Sequence, residues 1–225
     1  LISVTEKHIR DRFPEALYYL TIAKAFKDAG NYDLIDCHVE EKAMFFGPLV
    51  DTPIVHTFEF GLFDEEQKKV FQEHRDQKCI SISYAGRKIY PQLNWIANVY
   101  NGIRVEDFPF SKKHGNYLLF LGRVSAQKGV HHAVQVALKS GLKLYVAGKV
   151  VEEDREYLEK GFWPYVDNEK IIYLGIVNYQ EKMPLLKNAL ALISPLCYLE
   201  AFGLNLVEAM ACGTPVVAFD RGAAA

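Results

Sequence analysis

Two glutamates, Glu200 and Glu208, stand eight positions apart in the run E-A-F-G-L-N-L-V-E-A-M-A-C-G-T-P. Between them, Phe202 and Gly203 precede a stretch of good helix formers that begins at Leu204. A helix starting there would aim its unbonded N–H groups and positive dipole end at whatever lies before it, a place suited to an anion such as a diphosphate. Gly203, having no Cβ, lets backbone approach a ligand closely. Glu208, about one turn into the helix, can accept hydrogen bonds from both hydroxyls of a ribose. The same run also reads as a loop acid, a glycine turn and an exposed helical glutamate.

A second stretch, L-F-L-G-R-V-S-A-Q-K-G, follows a strand-like run and carries Arg123 and Lys128. A guanidinium fork and an ammonium point charge can together grip a diphosphate; two cations on a solvated loop is the plainer alternative. The stretch is neither G-x-G-x-x-G nor a P-loop, which speaks against a dinucleotide or ATP. A third stretch, L-G-I-V-N-Y-Q-E-K, contains Val177 and Lys182. It offers backbone to a base edge, or it is a simple connection. His38 and His56 stand at or near strand ends, where a lone histidine is more often structural, and His114, His131 and His132 are expected at the surface. Neither H-E-x-x-H nor G-x-S-x-G occurs, so zinc proteolysis and serine hydrolysis lack support, and no metal site is expected.

These residues need a frame, and the apolar pattern supplies one. Short apolar runs alternate with helical stretches, the pattern of parallel sheets covered on both faces. A helix opens at Pro14, with Leu17, Leu20 and Ala23 through Phe26 as its apolar face, and Gly30 stops it. Strands are expected near residues 34–38, 54–58, 79–83 and 95–100, with a charged helix from Phe63 to Asp76. From residue 117 the alternation becomes regular: strands at 117–121, 142–147, 170–174, 190–194 and 215–219, with helices at 130–139, 152–160, 179–188 and 204–212. The turn formers and charges between Asn101 and Gly115 break the pattern. The expected organisation is an N-terminal Rossmann-like domain over residues 1–108 that lacks its first strands. A linker over 109–116 then leads to a C-terminal Rossmann-like domain over 117–225 that lacks its last elements.

Composition bounds the function. The chain has 225 residues, 50% of them hydrophobic and 24% charged, enough for a substantial core. A net charge of -2 leaves no basic excess for a phosphate-neutralising surface, so nucleic acid is not expected as a partner. The four cysteines form no C-x-x-C and read as reduced residues of a cytoplasmic chain. No apolar run is as long as a membrane span.

Where the motifs coincide, the chain resembles a known family. L-G-R-V-S-A-Q-K-G after one strand, L-Y-V-A-G after the next, then Y-L-G-I-V and the E-x7-E run from Glu200 to Glu208 are similar to glycosyltransferase family 4. These are retaining enzymes of the GT-B architecture, with two Rossmann-like domains. The runs S-I-S-Y-A-G-R, L-N-W-I-A-N-V-Y-N-G-I and D-F-P-F are similar to the subgroup containing the avilamycin-pathway glycosyltransferase.

The resemblance implies transfer of a sugar from a nucleoside-diphosphate donor to an acceptor hydroxyl, with retention of configuration. The acceptor is a sugar, a lipid-linked sugar or a small molecule, as in polysaccharide or glycoconjugate biosynthesis. Neither a cofactor nor a metal is implied, and the chain would be cytoplasmic, with peripheral membrane attachment open. Arg123 and Lys128 would hold the donor diphosphate and stabilise it as it leaves. Glu208 would bind the ribose. Glu200, with backbone around Phe202, Gly203 and Leu204, would hold the donor sugar, and Val177 and Lys182 fall where the base-contacting loop lies. His38 matches a first-domain histidine that faces the reacting sugar. Asp36 and Glu59 stand where histidines are common in the family, and Tyr84 and Gly86 replace its usual Asp and Gln. Two alternatives stay open: a GT-B epimerase or phosphorylase, and a fragment that binds a sugar nucleotide without turning it over.

Overall fold

In the computed structural model, which describes residues 14–59 and 64–224, every paired strand runs parallel to its neighbour. The chain forms two units, 1–100 and 101–225, each with its own sheet.

The first unit contains α1 (Pro14–Lys27), β1 (Ile35–Cys37), α2 (Glu41–Met44), β2 (Ile54–Phe58), α3 (Glu65–Glu73), β3 (Lys78–Ser81), α4 (Tyr84–Ile89) and β4 (Asn94–Asn98). Its strands lie in chain order, β1-β2-β3-β4. Ile22 and Phe26 of α1, four residues apart and so on one face, pack with Cys37 and Ala43. The apolar face is thus rotated from the expected one, and Leu20 is 56% exposed. Asp64 caps α3 by accepting from the Gln67 N–H at 2.7 Å, while Gln67 Oε1 accepts from the Asp64 N–H at 3.0 Å, a reciprocal box that sets the helix start. The expected start at Phe63 falls outside the described residues. Helix α4 was not expected: its six residues carry no apolar period, and Ser83 nucleates it by accepting from the Gly86 N–H at 3.1 Å. Phe58, Phe71 and Leu93 form the second core of this unit.

The second unit contains β5 (Tyr117–Leu121), α5 (Val130–Ser140), β6 (Lys143–Ala147), α6 (Arg155–Gly161), β7 (Ile171–Gly175), α7 (Tyr179–Asn188), β8 (Ala191–Ser194), α8 (Leu204–Ala211) and β9 (Val216–Ala218). Alternate residues of β5 face opposite layers. Leu118 and Phe120 pack with Val134 of α5 and Leu158 of α6, whereas Leu119 packs with Leu186 of α7 and Leu206 of α8. The doubly wound α/β reading therefore holds. The strand order is β7-β6-β5-β8-β9, so the winding reverses between β5 and β8. At such a reversal the loops leaving the two adjacent strand ends diverge and open a crevice. Those loops are the ones that carry Arg123 with Lys128 and Glu200 with Gly203.

The stretch expected as a linker over 109–116 is bonded into this second unit. The Ser111 N–H donates to the Cys212 carbonyl at 3.0 Å and the Gly115 N–H to the Asn188 carbonyl at 2.8 Å, while Phe108 packs on the α7–α8 core. Unit two accordingly begins at Asn101. Among the described residues, no helix is long and apolar enough to cross a membrane.

Candidate functional site

Lys128 and Glu200 lie 72 residues apart in sequence and meet at the strand-order reversal, Nζ to Oε2 at 2.9 Å. The Cys197 N–H donates to the Gln127 carbonyl at 2.8 Å and ties the two loops together. Gly129 makes this approach possible. It caps α5 in the left-handed conformation, φ 70°, and a Cβ there would lie 2.0 Å from the Pro195 carbonyl oxygen. Tyr198 completes the cluster: Lys128 Nζ donates to its hydroxyl, and that hydroxyl donates to Glu200 Oε2 at 2.6 Å. The Ala201 N–H reaches the other carboxylate oxygen at 3.1 Å. Lys128 and Glu200 are only 18% and 13% exposed, so removing either would leave the other's charge largely buried without its ion-pair partner. Burial raises the Glu200 pKa, but the hydrogen bonds from Tyr198 and Lys128 outweigh it and hold the carboxyl below its ordinary value. Burial, then the Glu200 bond and charge, push the Tyr198 phenol well up, while the charge of Arg123 pulls slightly the other way. Arg123 itself stands exposed on the same loop, free to turn to a ligand.

Helix α8 begins beside this cluster. Its cap, Gly203, is left-handed at φ 83° and provides no side-chain cap for the first turn. The end of the helix dipole therefore faces the loop that holds Glu200 and Phe202. Leu204 is exposed at the helix start, and Asn205 donates from Nδ2 to the Leu121 carbonyl at 2.7 Å, pinning α8 to the end of β5. Glu208, 16% exposed, is paired with Lys182 at 2.7 Å. Lys182 sits a turn into α7 and so is drawn to the carboxylate expected at the ribose, while Val177 remains half-buried in the β7–α7 loop. That loop is fixed by Asn178, which accepts from the Glu181 N–H at 3.0 Å.

Three participants escaped the sequence reading. Tyr198 is two residues before Glu200 and looks like an ordinary apolar neighbour. Asp154 accepts from the Ala126 N–H at 2.8 Å and braces the Lys128 loop from 28 residues away. Asn205 bonds backbone 84 residues earlier. None belongs to a spacing that local pattern could reveal. His131 and His132, expected at the surface, are half-buried: His131 is hydrogen-bonded to Tyr157, and the His132 ring packs on Phe219.

His38 belongs to the first unit, at the end of β1. Its Nδ1 is 2.8 Å from Glu59 and its Nε2 is 3.2 Å from Asp36, whose other oxygen accepts from Thr57 at 2.8 Å. A ring flanked by two carboxylates donates to both only when doubly protonated. The Glu59 bond, opposed by partial burial and helped by Asp36, raises its pKa. In that form His38 donates protons and does not act as a base. Two residues on, Glu40 holds φ 53°, a conformation rare for a side-chain-bearing residue, and one of its carboxylate oxygens is buried without a partner among the described residues. Burial, then the charge of Glu41, raises its pKa. His56, by contrast, is fully buried in β2, with Nε2 2.6 Å from Gln77 Oε1, and belongs to the core. Among the described residues, no group of three or more His, Cys, Asp or Glu side chains is placed to hold a metal ion.

Comparison with known proteins gives this arrangement a context. The model of the family "Glycosyl transferases group 1" matches residues 104–225. An uncharacterised glycosyltransferase of Methanocaldococcus jannaschii is 36% identical over 109 residues, 47% of this chain and 27% of its own length. Two solved structures share the fold. Anabaena HepE in complex with UDP and glucose superposes with a TM-score of 0.75 at 22% identity, covering 90% of this chain and 63% of its own. AviGT4, a glycosyltransferase involved in avilamycin A biosynthesis, superposes with a TM-score of 0.68 at 21% identity, covering 89% and 59%. The chain thus spans about a quarter of the length of that curated relative and under two thirds of each solved neighbour.

Proposed function

The chain belongs to the glycosyl transferases of group 1, a GT-B family, and on that premise we propose that it transfers a sugar from a nucleoside-diphosphate donor to an acceptor hydroxyl with retention of configuration. The observation that carries this reading is the convergence of Lys128, Tyr198 and Glu200 beside the start of α8, at the reversal of the strand order. A diphosphate placed there meets the positive end of α8, the Lys128 ammonium and the guanidinium of Arg123. The ribose hydroxyls reach Glu208, which Lys182 bonds and orients. The base lies along the loop of Val177, where backbone supplies the contacts, and Glu200 with the backbone of Phe202, Gly203 and Leu204 holds the sugar.

The bond from the anomeric carbon to the diphosphate oxygen breaks as the bond to the acceptor oxygen forms on the same face. The departing diphosphate oxygen takes the acceptor proton, so no side-chain nucleophile is needed. Catalysis then consists mainly of stabilising the leaving charge by groups already in place. HepE, the solved neighbour described above, is in complex with UDP and glucose, which supports a sugar nucleotide as donor. The scheme uses no metal ion.

A thermal-shift panel with UDP, GDP, ADP, TDP and their sugar conjugates tests the reading. A ligand at a hundredfold over its dissociation constant that binds only the folded state adds about 2.7 kcal/mol, readily detected. One base is expected to stabilise the chain; no shift with any of them refutes the reading. Turnover of the sugar nucleotide without an acceptor would replace transferase by epimerase, and a requirement for phosphate would replace it by phosphorylase.

A further inference from the structure

A diphosphate beside Lys128 competes with Glu200 for its ammonium. When the ammonium leaves, a carboxylate that is only 13% exposed loses its cation, and burying an unpaired charge is costly. The structure places a substitute donor on the same oxygen: the Tyr198 hydroxyl and the Lys128 ammonium both bond Glu200 Oε2, and Lys128 also bonds the Tyr198 oxygen. The Ala201 N–H holds the other oxygen, so Glu200 keeps a donor on each oxygen after Lys128 departs.

Resting on the functional reading above, we propose that Tyr198 is a positioning residue that holds Glu200 ionised and oriented while Lys128 is handed from Glu200 to the donor diphosphate. Two features of the site support this role. The phenol stays protonated in this setting, held neutral by burial and by the carboxylate it bonds, and so remains a donor. Its position is set by the same loop that carries Glu200, whose carbonyl accepts from the Ala223 N–H at 2.8 Å, so Tyr198 and Glu200 are held by common backbone when the lysine moves.

The test uses bare nucleoside diphosphate, which lacks the sugar that Glu200 would contact. From UDP, GDP, ADP and TDP, the one the wild-type chain binds most tightly is titrated by calorimetry into Tyr198→Phe, Glu200→Gln and the double variant. In Tyr198→Phe the lysine leaves Glu200 bonded only by Ala201, and affinity is expected to fall about tenfold, equivalent to about 1.4 kcal/mol. With glutamine at 200 no charge is stranded, so Glu200→Gln binds at least as tightly as wild type. The double variant is expected to recover to within about threefold of wild type. A hydroxyl that merely supported the fold would give no such recovery. Affinity of Tyr198→Phe within twofold of wild type would overturn the proposal, as would a double variant as weak as Tyr198→Phe. If Tyr198→Phe fails to fold, the double variant against Glu200→Gln decides: equal affinity supports the role and a tenfold gap overturns it. A wild-type chain that binds none of the four diphosphates overturns the functional reading itself, a result distinct from any of these.

Discussion

Replacing Gly129 by alanine tests whether the two site loops are held together by backbone contact. The new Cβ would lie 2.0 Å from the Pro195 carbonyl oxygen, 3.1 Å from its carbon and 3.3 Å from Cys197 Sγ. Ordinary contact begins at 3.4 Å, so the Pro195 carbonyl must retreat by more than about 1 Å. That loop carries Tyr198 and Glu200, and its movement pulls both from Lys128. Two terms add: about 1–2 kcal/mol for a side chain in the left-handed conformation, and about 1–3 kcal/mol for the forced repacking. Gly141 separates them. It closes the other end of α5 at nearly the same φ, +71° against +70°, yet its Cβ would meet nothing within 4 Å. Gly141→Ala should show only the first term and bind nucleoside diphosphate as wild type does. Gly129→Ala should lose a further 1–3 kcal/mol or so in urea unfolding, melt several degrees lower again, and lose diphosphate affinity at least tenfold. Equal melting losses in the two variants, or full diphosphate affinity in Gly129→Ala, would refute the argument.

Arg123→Ala should lower turnover by two to three orders of magnitude, since losing one preorganised donor to a developing charge typically costs about 3–4 kcal/mol; activity within a few-fold of wild type would remove Arg123 from the diphosphate. Transfer should persist after dialysis against EDTA, and its abolition and restoration by a divalent cation would show that the cations of the site do not suffice. Lys182→Met leaves Glu208, 16% exposed, without its cation and should destabilise the second unit by about 1–3 kcal/mol in urea unfolding; pairing it with Glu208→Gln should return part of that loss. The first unit should lose stability in acid through His56. Burial lowers its pKa below the ordinary value of 6.5, and its Nδ1 is buried without a partner among the described residues, so the unfolded chain binds the extra proton. Its contribution is present above about pH 6.5 and is lost as the pH falls below that value. His38, with a raised pKa, has the opposite sign: its contribution is present below pH 6.5 and fades as the pH rises through its folded value. Urea midpoints between pH 8 and 5 should fall less steeply in His56→Leu than in wild type, and equal slopes would count against this assignment.

Much of this protein is written locally. The continuous apolar runs of β5, β6 and β8 state a buried parallel sheet, because only strands covered on both faces are apolar at every position. The helix after Gly203 and the cations at 123 and 128 were legible because a glycine, a run of helix formers and charge after a strand act within a few residues. Helix α4 was not, since a single serine cap and six residues carry too little pattern to compete with a turn. The linker was misplaced because turn formers and charge mark any irregular segment, whether free or, as at Ser111 and Gly115, bonded to distant carbonyls.

What the sequence by itself determined is the inventory: two α/β units, the carboxylates at 200 and 208, and the loops that bear them. Which charges meet was decided only by tertiary structure. Strand β5 has β6 on one side and β8 on the other, and that order alone brings Lys128 to Glu200 across 72 residues and sets Tyr198 between them. The same packing takes Lys182 to Glu208, and it buries these groups enough that each needs its partner. Strand order is fixed by how helices cover the whole sheet, a sum over many weak contacts between distant residues, and no short spacing along the chain records it.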